Sequence, residues 1–236
     1  MCGQFELMAK YSEIVEELGD FELENPEFLE QFNIYKNGEG SAFHFVPTSK
    51  LLSIKSSNLN VPISDGNLSN GNPSKEDNKK YLEEMRWGLL PNWSNDIKTS
   101  YKMFNARIET IFEKKSFSSL IRKNRCVIIG SSYFEWKAIE NSKKKIKYRF
   151  SPNDKNLFLF AGLYNNWLDK STGEIIPSVT MITKPAIDEI SHIHNRMPAI
   201  LSHSQFDIWL HSDIKTINDV DFLYNQEIAI NFEEVV

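Results

Sequence analysis

Arg125-Cys126-Val127-Ile128-Ile129-Gly130-Ser131-Ser132-Tyr133-Phe134-Glu135-Trp136 carries the clearest fold signal in this chain. Its first five residues are rich in β-branched side chains and read as a buried strand. Gly130 and two serines then interrupt the run. Outward from here, Ile146–Phe150, Leu157–Leu163 and Val179–Thr183 have the same strand character. Ile228–Phe232 reads as a strand that closes the sheet, and Phe43–Ile54 as extended chain broken at Pro47. Helical signals are shorter. Met8, Tyr11, Ile14, Val15 and Leu18 recur at helical spacing, with Gly19 placed to end the helix. Further short helices are predicted at 116–124, at 185–191 after Pro185, and at 203–210. Ser202 and Gln205 form a capping-box pattern for the last of these. Strands outnumber helices and do not alternate with them. The pattern predicts an α+β fold with a mostly antiparallel, curved sheet in one domain over 2–236.

Residues 53–80 differ in composition. Twelve of these twenty-eight are Ser or Asn, which predicts a flexible surface loop or insertion. Residues 20–42 are acidic and carry no firm assignment. The 236 residues, 41% hydrophobic and 25% charged, exclude wholesale disorder. No apolar run is long enough for a membrane helix, and no signal peptide is visible at the N-terminus. The only cysteines, Cys2 and Cys126, do not make a disulfide framework, so a reducing, cytoplasmic location is expected. Net charge is −5, but it is unevenly spread. Residues 1–40 hold ten acidic and two basic side chains, while 98–149 hold fourteen basic and four acidic. A basic middle is the footprint of a polyanion partner, and equally that of a solvated Lys/Arg face.

Several residues have the chemistry for a site. If Met1 is removed, Cys2 offers an α-amine and a thiol on adjacent carbons. The amine has a pKa of about 7.7–8, so a useful fraction is neutral at physiological pH. Amine and thiol attack one aldehyde carbon in turn: the first gives an imine, the second closes a thiazolidine ring. Position alone is equally that of a chance cysteine at a chain end. Asn105 has an amide suited to orienting a nucleophile or a sugar oxygen, and Arg107 a fork suited to phosphate. Glu135 lies between Phe134 and Trp136, which would desolvate it and raise its pKa toward the range of a general acid; the alternative is a solvent-facing strand position. His192-Ile193-His194 lacks companion metal ligands, so a proton shuttle at His194 is preferred to zinc. Arg196 again suits phosphate. Trp87-Gly88-Leu89-Leu90-Pro91-Asn92-Trp93 fits a rigid loop that stacks on bases, or core tryptophans bracketing a turn.

Taken in order, these pieces resemble the SRAP family (SOS-response-associated peptidase domain). The matching segments are Cys2-Gly3, Phe45-Val46-Pro47-Thr48, Trp87–Trp93, Asn105-Ala106-Arg107 with Glu109-Thr110, Phe134-Glu135-Trp136, Phe160-Ala161-Gly162-Leu163, Thr180-Met181-Ile182-Thr183 and His194-Asn195-Arg196-Met197-Pro198. The resemblance implies a curved, barrel-like β core flanked by helices. It implies a monomer, without metal or cofactor, that binds abasic sites in single-stranded DNA or at single-strand/double-strand junctions. Cys2 would trap the ring-opened deoxyribose aldehyde as a thiazolidine crosslink that protects the lesion. Asn105 would position the amine or the sugar, Glu135 transfer protons, and His194 assist ring opening and reversal. Arg107 and Arg196 would hold phosphates, with Pro47 and Trp93 lining the DNA channel.

The chain departs from the family pattern at three positions. Gln4 stands where arginine is usual, His44 where asparagine is usual, and Ser94 where a second tryptophan is usual. Two other readings remain open on the sequence. One is a thiol peptidase that processes its own N-terminus, and the other is a non-covalent single-stranded DNA binder.

Overall fold

The computed structural model describes residues 2–19, 21–24, 43–56, 79–153, 157–225 and 228–235. In chain order the strands are β1 (Phe5–Leu7), β2 (Glu22–Leu23), β3 (Phe43–Phe45), β4 (Lys50–Ser56), β5 (Lys80–Trp87), β6 (Asn105–Arg107), β7 (Arg125–Gly130), β8 (Ser132–Ala138), β9 (Lys145–Pro152), β10 (Phe158–Leu168), β11 (Ile175–Pro185), β12 (Arg196–Pro198), β13 (Ile200–Leu201) and β14 (Ile230–Val235). The α-helices are α1 (Tyr11–Leu18), α2 (Leu120–Lys123), α3 (Asp188–Ser191) and α4 (His203–His211).

Five strands close a barrel in the order β5, β4, β7, β10, β11 and back to β5. Four of the five joints are antiparallel. The closing joint is parallel and short, with Ser178 opposite Arg86 and Val179 opposite Trp87. Closure removes the free edges of the barrel strands, and it explains why β7 is buried along its whole length. A second, antiparallel sheet has the order β14, β9, β8, β1, β3. The chain passes from barrel to second sheet at Gly130. A Cβ there would lie 2.7 Å from the Phe160 ring and 3.0 Å from Phe5, so the corner needs glycine. Phe5 joins the two sheets: its ring meets Trp87 edge-on at 5.0 Å and Phe160 at 5.8 Å. Such pairs add about 0.5–1.5 kcal/mol each beyond their buried area.

Some sequence expectations move. Residues 53–56 are not loop: β4 runs to Ser56, with Ser53, Ile54 and Ser56 buried and paired to β5. Lys80, at the far end of the same segment, begins β5, and 57–78 lie outside the described residues. Pro185 ends β11 instead of starting a helix, which begins only at Asp188. The 116–124 helix is shortened to α2. β14 is an edge strand of the second sheet, paired to β9, and closes nothing. Local pattern finds an apolar strand but not its neighbour. The N-terminal helix and the Ser202–Gln205 capping box are present as read.

Arg125 was counted above with the basic middle, but it is a core residue. Its guanidinium is fully buried and donates to the carbonyls of Ile121, Arg122, Trp209 and Ser212 at 2.5–3.0 Å. These are carbonyls at the ends of α2 and α4, groups that helices leave unbonded. Burial pushes its pKa down to about 10.

Gly88 has φ +128°, and a Cβ there would meet the Ser100 carbonyl oxygen at 2.4 Å. This is where the chain turns out of the barrel beside Trp87, whose indole N–H donates to Phe104 O. Gly88→Ala is expected to cost about 3 kcal/mol or more, through backbone strain and a clash with main chain that cannot give way. Urea unfolding checks this; a midpoint like the wild type's would contradict it.

Candidate active site

Cys2, Asn105, Glu135 and His194, far apart in sequence, are brought together by the fold: Asn105 bonds Cys2, His194 lies beside Glu135, and the Glu135 charge acts on the Cys2 thiol. Cys2 follows from β1. Gln4 O accepts from Phe134 N–H at 3.0 Å, so the chain entering β1 lies along β8. Asn105 sits on β6, a three-residue strand held parallel to β11 with Asn105 opposite Met181. Its side-chain Nδ2 donates to Cys2 O at 2.7 Å. Its Oδ1 is buried without a hydrogen-bond partner among the described residues. An unmet buried acceptor is costly, and it is placed to receive an N–H or O–H from a bound group.

Glu135 is only 3% exposed, and burial raises its pKa to about 7. The cause is not the one the sequence suggested. Strand alternation puts Phe134 and Trp136 on the opposite face, where they hold Lys147 Nζ at 4.0 and 5.6 Å from their rings. Glu135 is dehydrated because its own face is the interior one. His194 Nδ1 lies 3.8 Å from Glu135 Oε1 and 3.1 Å from Arg196 N. Burial lowers the His194 pKa despite its bond with the Arg196 carbonyl. Burial and the charge of Glu135 push the Cys2 thiol well above the ordinary cysteine range. The site therefore favours a neutral thiol, a neutral imidazole, and a carboxyl that exchanges its proton near neutral pH.

Two arginines flank this group. Arg107 shares a face of β6 with Asn105 and is exposed. Arg196 forms a two-pronged ion pair with Glu109, and its Nη2 also donates to Thr183 O at 2.7 Å. The Arg196 fork holds the Glu109 carboxyl below its usual range although burial works the other way, and Arg107 adds to the pull. Glu109 thus sits between two cations.

Residues 1–235 match the family described as SOS response associated peptidase (SRAP). The chain belongs to the SRAP family. It is 34% identical over 211 residues to the abasic site processing protein YoqW of Bacillus subtilis, covering 89% of this chain and 80% of that one. It is also 34% identical over 146 residues to the abasic site processing protein HMCES of Xenopus tropicalis, covering 53% of this chain and 43% of that protein. Among solved structures, a protein from Bacteroides thetaiotaomicron aligns with TM-score 0.74 and 26% identity over 100% of this chain and 92% of that one. One from Bordetella bronchiseptica, at TM-score 0.71 and 19% identity over the full length of both, shares the fold.

The three departures from the SRAP pattern have structural accounts. Ser94 is buried, and its hydroxyl is hydrogen-bonded with Asp96 O at 2.9 Å and with the Thr99 hydroxyl at 2.8 Å. It pins the loop from within, so that slot is not an exposed aromatic position in this chain. His44 pairs with Glu6 at 2.9 Å on the outer face of the second sheet. Gln4 is part-exposed and acts through its backbone carbonyl. Of the two tryptophans, Trp87 is core and Trp93 is 58% exposed. Pro47 lies in the turn between β3 and β4, where Thr48 N–H donates to Trp87 O at 2.7 Å, so this turn is fastened to the barrel. Sequence reading quoted Glu109 and Tyr133 within its motifs but gave neither a role, and it passed over Tyr101, which is exposed between lysines 98 and 102. Tyr101 carried a signal of its own, an aromatic interleaved with cations.

Proposed function

We propose that this SRAP protein captures abasic sites in single-stranded DNA, or at single-strand/double-strand junctions, as a covalent adduct of Cys2 after Met1 is removed. The observation that carries the reading is the Cys2 main chain gripped by Asn105 beside a carboxyl that titrates near 7. The names of the relatives, abasic site processing proteins, support the same substrate. In this reading His194 and Glu135 assist opening of the sugar to its aldehyde. The neutral Cys2 amine attacks the aldehyde carbon, and protonated Glu135 supplies the proton with which the hydroxyl leaves as water. The resulting imine is then closed by the thiol to a thiazolidine, which shields the lesion. A thiol peptidase needs a thiolate beside an imidazolium. Here Cys2 is pushed up and His194 down, so both neutral forms are favoured and the pairing works against that alternative.

Arg107 and Arg196 serve as phosphate contacts, with Pro47 and Trp93 along the strand. Incubating the protein with abasic and intact oligonucleotides, followed by denaturing electrophoresis, tests the proposal. A covalent band specific to the abasic strand is expected; peptide cleavage with no such band would defeat it. The mass of the purified protein reports whether Met1 is gone. Arg107→Ala is expected to lower the slope of log affinity against log salt by about 0.7, one single-strand phosphate contact. Arg196→Ala is expected to do the same and to lower the Tm as well, since it also frees Glu109 and Thr183. Unchanged slopes in binding titrations at several salt concentrations would place both arginines away from DNA.

A further inference from the structure

Tyr133 has no part in the chemistry above, yet it is fully buried two residues from Glu135 on the same strand. Its ring belongs to the core: it stacks on Phe150 with centroids 4.6 Å apart and planes 7° from parallel, and meets Phe160 edge-on at 6.2 Å. The hydroxyl is shielded from solvent and has no hydrogen-bond partner among the described residues. Phenylalanine would supply the same stacking without a costly unbonded hydroxyl. Alternation along β8 sends Tyr133 and Glu135 to the same side. Phe5 lies opposite Tyr133, so the chain running from β1 back to Cys2 follows β8 toward Glu135. Burial, then the charges of Cys2 and Glu135, hold the tyrosine proton on far above the usual range. The hydroxyl is a buried, protonated donor on the side of β8 that carries Glu135.

We propose that Tyr133 is a catalytic residue of ring closure, its O–H donating a hydrogen bond to the Cys2 sulfur as that sulfur gives up its proton. This rests on the abasic-capture reading. In the step, the S–H proton passes to the Glu135 carboxylate. A sulfur lone pair forms the C–S bond to the imine carbon, and the C=N π pair moves to nitrogen, which takes a proton back from Glu135. Thiol and imine become thiazolidine with no atom gained or lost. Negative charge builds on sulfur in a dry site as its proton passes to Glu135, so a preorganised neutral donor lowers this barrier. The amine's attack on the aldehyde builds no charge on sulfur and does not need Tyr133.

Tyr133→Phe separates the two steps. The variant is mixed with an abasic oligonucleotide with and without borohydride, which reduces an imine to a stable amine. Reductive trapping is expected at the wild-type rate, while the spontaneous heat-stable adduct forms about 10–100-fold more slowly. The Tm is expected at or above wild type, because the ring stacking survives and the lost hydroxyl had no partner. A heat-stable adduct formed at the wild-type rate overturns the proposal. So does equal slowing of both steps, which would assign Tyr133 to DNA binding or amine attack. A Tm lower by several degrees also overturns it, by showing the hydroxyl bonded in the free protein. Failure of the wild type to form any adduct would instead remove the capture reading, and this role with it.

Discussion

Cys2→Ala is expected to form no heat-stable adduct with an abasic oligonucleotide. The α-amine survives the substitution, so a reversible imine still forms and is trappable by borohydride. What disappears is the sulfur that closes the ring. DNA affinity is expected to change little, because the phosphate contacts lie on Arg107 and Arg196 and the Asn105 grip is on the Cys2 backbone carbonyl, which alanine retains. Cys2→Ser retains an oxygen nucleophile and is expected to give a product that heat reverses. The measurement is adduct yield after heating, compared with yield after reductive trapping. A heat-stable adduct from the alanine variant at wild-type yield would refute thiazolidine formation. It would leave an amine-only linkage as the chemistry.

Glu135→Gln is expected to slow adduct formation by about 10²–10⁴-fold, the usual worth of a positioned acid or base, with a smaller effect on DNA binding. Glutamine keeps size and hydrogen-bonding capacity but cannot pass a proton. The wild-type rate is expected to follow a bell against pH. Its falling limb comes from loss of the Glu135 proton above a pKa of about 7. Its rising limb comes from the amine becoming neutral toward about 7.7–8. Equal single-turnover rates for the two proteins across the neutral range would remove Glu135 from the mechanism.

The same residue makes a stability prediction of defined sign. The folded pKa of about 7 lies above the unfolded value, so folded Glu135 binds its proton more tightly. That contribution is fully present below about pH 4.3 and is lost as pH rises through 7. At pH 8 the ionised, buried carboxylate destabilises the native state by on the order of 2–3 kcal/mol. Glu135→Gln is therefore expected to melt about 5 °C above wild type at pH 8, with the gap shrinking toward pH 5. Thermal melts at the two pH values check this. An unfolding temperature lower than wild type at pH 8 would mean that the carboxylate is held by partners stronger than its burial cost.

Much of the fold was legible because strand and helix signals are local. Val127-Ile128-Ile129 and Phe158–Leu163 are continuous apolar runs, and such runs go to strands buried on both faces. Tyr11–Leu18 ends at a glycine with φ 84°, as its spacing requires. The roles proposed for Cys2, Asn105, Glu135 and His194 were legible only through the family resemblance of the ordered motifs, because each of these residues alone has a common structural reading. β6 was not legible. Asn105-Ala106-Arg107 has no apolar pattern, and it is a strand only because β11 offers it an edge.

The sequence by itself determined that its apolar runs would be strands, which residues carry reactive groups, and that the chain's basic side chains gather in its middle. Only the tertiary structure decided what those residues face. Closure of the barrel depends on a parallel joint between strands about ninety residues apart, and no local period encodes that partner. Alternation along β8 was visible in advance, but what each of its two faces meets was not; it put Glu135 on the face shared with Tyr133, and Phe134 and Trp136 on the face covered by Lys147. Charge counting could not separate Arg125, spent on helix-end carbonyls in the core, from Arg107 at the surface. Nor could it show Arg196 locked to Glu109, or the Tyr133 hydroxyl left without a partner. Residue type and period are properties of neighbours in the chain, whereas burial, pairing and an unmet hydrogen bond are set by contacts between segments far apart in it.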